Sequence, residues 1–119
     1  MKIDQADKVF SQYIRTRADW RCEYCGTDYT DNTVGLHNSH YWSRGKESTR
    51  FDPDNCMALC YYHHLKLGHG DERDEYKRIM IEKLGEKRFK QLDYRAHQTK
   101  RKDRAMSLLE AKELLKSLE

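Results

Sequence analysis

The 119-residue chain is short of apolar side chains: 37% of its residues are hydrophobic, 36% are charged, and proline occurs once. A fraction that thin excludes a large buried core and points to a small fold that needs a staple. No hydrophobic run approaches the about 20 residues that cross a bilayer, which excludes a membrane-spanning helix. The opening MKIDQADKVF lacks the apolar segment of a secretory signal, so the expected location is cytoplasmic. There are only four cysteines, and away from the export route a metal is a better use for them than disulfides. Internal repeats and low-complexity tracts are absent as well.

What is present is concentrated. Five of the six histidines (His37, His40, His63, His64 and His69) lie between positions 36 and 70, with Cys56 and Cys60, while Cys22 and Cys25 stand just upstream. This divides the chain into an N-terminal helix over 1–20, a ligand-rich core over 21–70, and a basic helical extension over 71–119. The net charge is only +3, but Glu86 to Arg104 holds eight basic residues against three acidic ones. A basic face suits a phosphate backbone, and equally a solvated helix surface.

Along the chain, Asp4 to Arg17 has the spacing of an amphipathic helix, with Val9, Phe10, Tyr13 and Ile14 on one side and Asp4 as its cap. Short strands are expected at Gly35–His37 and His40–Trp42, joined as a hairpin. Residues 43–54 read as a loop, with Asp52 or Asp54 capping a helix from Asn55 to Leu67. Gly68-His69-Gly70 should break that helix. Further helices are predicted over 71–84, ending at Gly85, over 86–95, and over 103–118. In the last, Leu108, Ala111, Leu115 and Leu118 form a seam, which packs on the body or pairs two chains as a homodimer.

The chemistry starts with the cysteines. Trp-Arg-Cys22-Glu-Tyr-Cys25-Gly26 is a knuckle that turns two thiolates toward one ion, and Cys60 and His63 repeat the same spacing. Together they supply four ligands for tetrahedral zinc with no open position, which is the pattern of a structural site. Cys56 is the rival fourth ligand; otherwise it is a small buried filler. If zinc ties the two segments together, His40, Asn55 and His64 face one another across a cleft. An imidazole can take a proton from water near neutral pH. A divalent ion held by His64 would sit on the oxygens of a phosphodiester.

These residues resemble the HNH, or ββα-metal, nucleases through Leu36-His37-Asn38-Ser39-His40-Tyr41, Asp52-Pro53-Asp54-Asn55 and Leu59-Cys60-Tyr61-Tyr62-His63-His64. The resemblance is closest to the NinG/Rap recombination proteins of lambdoid phages. It rests on Cys22-Glu-Tyr-Cys25-Gly26, His40-Tyr41, Ser43-Arg44, Thr49-Arg50-Phe51-Asp52, Asn55, the Cys60–His64 segment and Leu84-Gly-Glu-Lys-Arg88, over roughly residues 7–92. It implies an α+β fold, mostly helical, in which a small zinc-stapled ββα-metal core carries flanking helices. It implies a DNA endonuclease with structural Zn²⁺ and catalytic Mg²⁺ or Mn²⁺, acting on branched intermediates such as Holliday junctions. By position, His40 becomes the general base, Asn55 orients His40 and the loop before it or approaches the metal, and His64 is a metal ligand. Arg44, Lys46 and Arg50 are implied phosphate contacts. Two departures stand out: His63 replaces a fourth cysteine, and Ser39 stands where many such enzymes place a metal-binding acid or histidine. His37, Asp52 and Asp54 are the substitutes for that missing ligand. A zinc-bound DNA-binding module without cutting activity is the alternative reading.

Overall fold

The computed structural model describes residues 2–119. Helix α1 (Gln5–Arg17) is opened by a reciprocal capping box, in which Asp4 accepts from the Asp7 amide at 3.1 Å and Asp7 accepts from the Asp4 amide at 3.0 Å. Its apolar stripe, Phe10, Tyr13 and Ile14, is buried. The chain then makes the cysteine knuckle and enters β1 (Leu36–His40). Strand β1 pairs antiparallel with β2 (Cys56–Cys60), with Leu36 opposite Cys60 and His40 opposite Cys56. The connection between them carries the short helix α2 (Glu47–Arg50) and a 3₁₀ turn at Pro53–Asn55.

Two expectations are corrected here. Residues 35–42 do not fold back as a hairpin; β1 is one strand, and fifteen residues separate it from its partner. Nor does Asn55–Leu67 form one helix, because Cys56 to Cys60 is a strand. All five residues of β2 are buried, so neither face shows the polar alternation that marks a strand in sequence. Met57, Ala58 and Leu59 are good helix formers, and tertiary context overrides that weak preference.

The helix after β2 begins only at Tyr61. It runs as α3 (Tyr61–His63) and widens at once into a π turn, His64–His69. The chain therefore winds through Gly68 and stops at Gly70, where a Cβ would come within 2.7 Å of the Lys66 carbonyl oxygen. Helices α4 (Arg73–Leu84) and α5 (Glu86–Ala96) follow, hinged at Gly85, whose φ of 81° suits glycine. Helix α6 (Arg104–Lys116), capped by Asp103, lies along α1. Ala111 is buried and Leu114 and Leu115 pack against the core, so much of the leucine seam is covered within the chain. Among the described residues no helix is long and apolar enough to cross a membrane.

Several cations make ion pairs within the chain. Arg88 and Arg95, themselves at the surface, bind Asp54 and Asp52, and Arg104 binds Glu47. Arg50 is the largest correction among the expected phosphate contacts. It is 5% exposed, its Nε donates to Asp7 Oδ1 at 2.9 Å, and its Nη2 reaches Asp7 Oδ2 and the Lys2 carbonyl. A guanidinium bound to a carboxylate in this forked way inside the fold is not presented to DNA. Burial raises the Asp7 pKa, but the Arg50 hydrogen bond and charge outweigh that and hold it below the usual carboxylate value. Removing one partner leaves the other charge buried alone, so Arg50→Ala should cost about 3–5 kcal/mol in urea denaturation. Replacing both residues with apolar ones should cost clearly less than the two single changes added together.

Candidate metal centre and the adjoining cavity

Behind α1 two residues in the left-handed region, Asp19 (φ 57°) and Trp20 (φ 58°), swing the chain into the knuckle. The turn is closed by Cys22 N–H donating to Thr27 O at 3.0 Å and Gly26 N–H donating to Cys22 O at 2.8 Å, with Gly26 at φ 77°. Glu23 then docks the knuckle on the outer edge of β2. Its amide donates to Ala58 O at 2.8 Å, and its carboxylate accepts from the Ala58 amide at 2.7 Å. This sets Cys22 and Cys25 beside Cys60, the last residue of β2, and His63 in the turn that follows.

The donor atoms of Cys22, Cys25, Cys60 and His63 all lie within 4.8 Å of one another. His63 Nδ1 is 3.2 Å from Cys60 Sγ and 3.9 Å from Cys22 Sγ. Around zinc, with Zn–S about 2.3 Å and Zn–N about 2.0 Å, tetrahedral ligands sit roughly 3.5–3.8 Å apart, so three thiols and an imidazole at these separations fit that ion. Among the described residues this is the one group of three or more histidine, cysteine or carboxylate donors so close together. Burial pushes the Cys22 thiol up to about 11. At Cys25 burial pulls the same way, but hydrogen bonds from Thr27 prevail and bring it down to about 6. Cys56 lies outside the group, fully enclosed, with its thiol pushed far up by burial; it is a packing residue.

Next to this centre is a cavity of about 1020 Å³. Among the described residues, four histidines (37, 40, 64 and 69) and four cations (Arg15, Arg44, Lys46 and Arg73) line it, and no aspartate or glutamate does. The rings of His40 and His64 thus open on the same space, although they come from opposite ends of the core. His40 Nε2 donates to the Arg50 carbonyl at 2.9 Å. A carbonyl only accepts, so Nε2 carries the proton and Nδ1 keeps the lone pair. Burial, with Arg44 adding to it against the hydrogen bond to Arg50, lowers the His40 pKa to about 4.

Asn55 is wholly buried. Its Oδ1 accepts from the Trp42 amide at 2.8 Å, and its Nδ2 donates to Trp42 O at 2.9 Å and Thr49 O at 3.0 Å. The amide is spent on the backbone of the loop between His40 and itself, so Asn55 holds that loop and does not reach a metal. Ser39 is fully buried and accepts from the Tyr76 hydroxyl at 2.8 Å. Asp52 and Asp54 are paired with Arg95 and Arg88, away from the cavity lining. His37 stacks parallel on His64, with centroids 5.1 Å apart and planes at 6°. Ring lone pairs lie in the ring plane, so stacked rings do not converge on one ion, and His37 is a wall rather than the second ligand.

Sequence reasoning passed over two residues that the fold brings here. His69 Nε2 lies 3.3 Å from His64 Nε2; its signal, a histidine five residues on, is not a spacing that an α-helix would align. Arg15, on the polar edge of α1, stacks on Trp20 at 5.4 Å, and its Nε is buried with no partner among the described residues. Arg44 Nε is in the same condition, and Lys46 rests over Trp42 at 5.6 Å.

The family model described as "Bacteriophage Lambda NinG protein" matches residues 2–119 of the chain. Searches of curated proteins and of solved structures give no match.

Proposed function

The chain belongs to the NinG family, a phage recombination-associated family, and on that premise we propose that it is an HNH-type, metal-dependent DNA endonuclease acting on branched recombination intermediates such as Holliday junctions. The observation that carries the reading is the meeting of His40 and His64 in one cationic cavity stapled by the Cys₃His group. Hydrolysis needs a base for water, positive charge for the phosphate, and a fixed geometry between them. His40 takes the proton from water at Nδ1, while the Arg50 carbonyl fixes its ring. Asn55 keeps the flanking loop in place. Arg15, Arg44 and Lys46 line this cavity and receive the phosphodiester. His64 would hold a divalent ion, Mg²⁺ or Mn²⁺ by resemblance, whose charge stabilises the phosphoryl and leaving oxygens when it is bound.

One feature favours the rival, a DNA-binding module that does not cut: Ser39, where an acidic ligand would stand, is buried and committed to Tyr76. The deciding experiment incubates the zinc-loaded protein and a divalent ion with linear, nicked and four-way-junction DNA. The junction should be cut fastest, and resolved symmetrically if two copies act. Binding of all three without cutting in any divalent ion would leave the module reading. Equal cutting of all three would remove only the junction preference.

A further inference from the structure

We propose that His64 and His69 form a two-imidazole site for one transition-metal ion, and that this site, lacking any oxygen anion, discriminates against Mg²⁺. It deepens the nuclease reading by assigning the ligands and the class of ion, and it can be tested apart from it.

The two Nε2 atoms are 3.3 Å apart, with ring planes at 87°. Nitrogens that share an ion at about 2.0–2.1 Å each lie roughly 2.9–3.4 Å apart, from octahedral to tetrahedral angles. The observed separation falls in that range. The backbone explains the convergence. At about 100° per residue in an α-helix, positions five apart face roughly 140° away from each other. The π turn over His64–His69 is wider, closing i→i+5 hydrogen bonds, so positions five apart come nearer to one side and the two rings can meet. Such turns are uncommon and tend to occur at functional sites. Gly68 lies within this turn, where a Cβ would come 3.3 Å from Ser39 Oγ and 3.6 Å from His64 Nδ1, so the turn closes tightly over the sheet. His37 supports the far face of His64, which leaves His64 Nε2 directed at His69.

The donor set decides the ion. Mg²⁺ demands oxygen ligands, commonly carboxylates, whereas imidazole suits Fe²⁺, Ni²⁺, Cu²⁺ and Zn²⁺, with affinity rising along the row to Cu²⁺. Among the described residues no carboxylate side chain lines this cavity. The neighbouring His63 serves the Cys₃His group, so adjacent histidines are shared between two different ions. Two protein ligands leave the other coordination positions to water and phosphate oxygen.

The test is equilibrium dialysis of the zinc-loaded full chain against Ni²⁺, with zinc measured in the same samples. The expected result is one Ni²⁺ per chain above the retained zinc, undisturbed by about a thousandfold excess of Mg²⁺. His64→Ala and His69→Ala should each weaken Ni²⁺ at least about tenfold, with zinc content and circular dichroism unchanged, and His97→Ala should have no effect. His69→Ala binding Ni²⁺ like the parent chain, or Mg²⁺ displacing it, overturns the proposal. A chain that holds Ni²⁺ as described but cuts no DNA keeps the site and loses the nuclease. Cutting that needs Mg²⁺ and survives His69→Ala does the reverse.

Discussion

His40→Ala is expected to lower DNA cleavage on the order of 10²–10⁴-fold, the usual contribution of a positioned base, while zinc content and DNA affinity stay as they were. The side chain touches Arg50 only through the backbone carbonyl and lies against Phe10 with ring centroids 6.4 Å apart, so its removal leaves the zinc group and the cations of the cavity in place. The pH profile carries a second signature. With a pKa near 4, the ring keeps its lone pair well below pH 6, so the acid limb of kcat/KM, which reports the free enzyme, should fall between pH 4 and 5 rather than near 6.5. Stability follows the same group with a definite sign. The folded pKa lies below the unfolded value of about 6.5, so the unfolded chain binds the proton more readily. His40's contribution is complete above about pH 6.5 and is lost as the pH falls toward 4. An unchanged cleavage rate in His40→Ala would remove the catalytic reading and leave a DNA-binding module.

Loss of the Cys₃His ion should be the largest effect on folding. Structural zinc contributes on the order of 10 kcal/mol in small domains, comparable to the whole stability of a typical protein. Here it would join the knuckle to the end of β2 and the turn after it, segments that otherwise meet through the Glu23–Ala58 hydrogen bonds and the Tyr24–His63 ring contact. Cys60→Ser, or a strong chelator, should therefore flatten the cooperative melting transition and release the cavity histidines with it. Zinc uptake should also release protons, because the metal-free Cys22 thiol is held up near 11 by burial and must ionise to bind. Affinity should accordingly rise with pH across the neutral range. Cys56→Ser is the control: that thiol lies outside the group and should leave zinc stoichiometry at one. A chelated chain that melts as sharply as the loaded one would show that packing alone holds the core.

The two predictions differ in how far sequence could have supported them. The Cys₃His group was legible because its members come as two local pairs of identical spacing, and a pair of that kind needs only a turn to form. The start and stop of two helices were legible for the same reason: Asp4 and Gly85 act within a few residues of themselves. The path of residues 35–67 was not. A strand buried on both faces has no polar side to betray its period, so Cys56–Cys60 read as helix, and the partner of β1 was sought next door rather than fifteen residues on.

Charge was the other blind spot. Arg44 and Arg50 are alike in sequence, two basic residues in one loop beside the first histidines, yet Arg44 lines the cavity while Arg50 is buried against Asp7. The same holds for His37, His64 and His69, whose roles depend on ring planes and on a π turn that no pattern announced. Sequence by itself determined the Cys₃His inventory and the extents of the first helix and the last three, because these are set by residue type and short-range spacing. Tertiary structure alone decided which imidazoles and guanidinia share a space and which are used up in pairs, because burial and long-range pairing are properties of the assembled core.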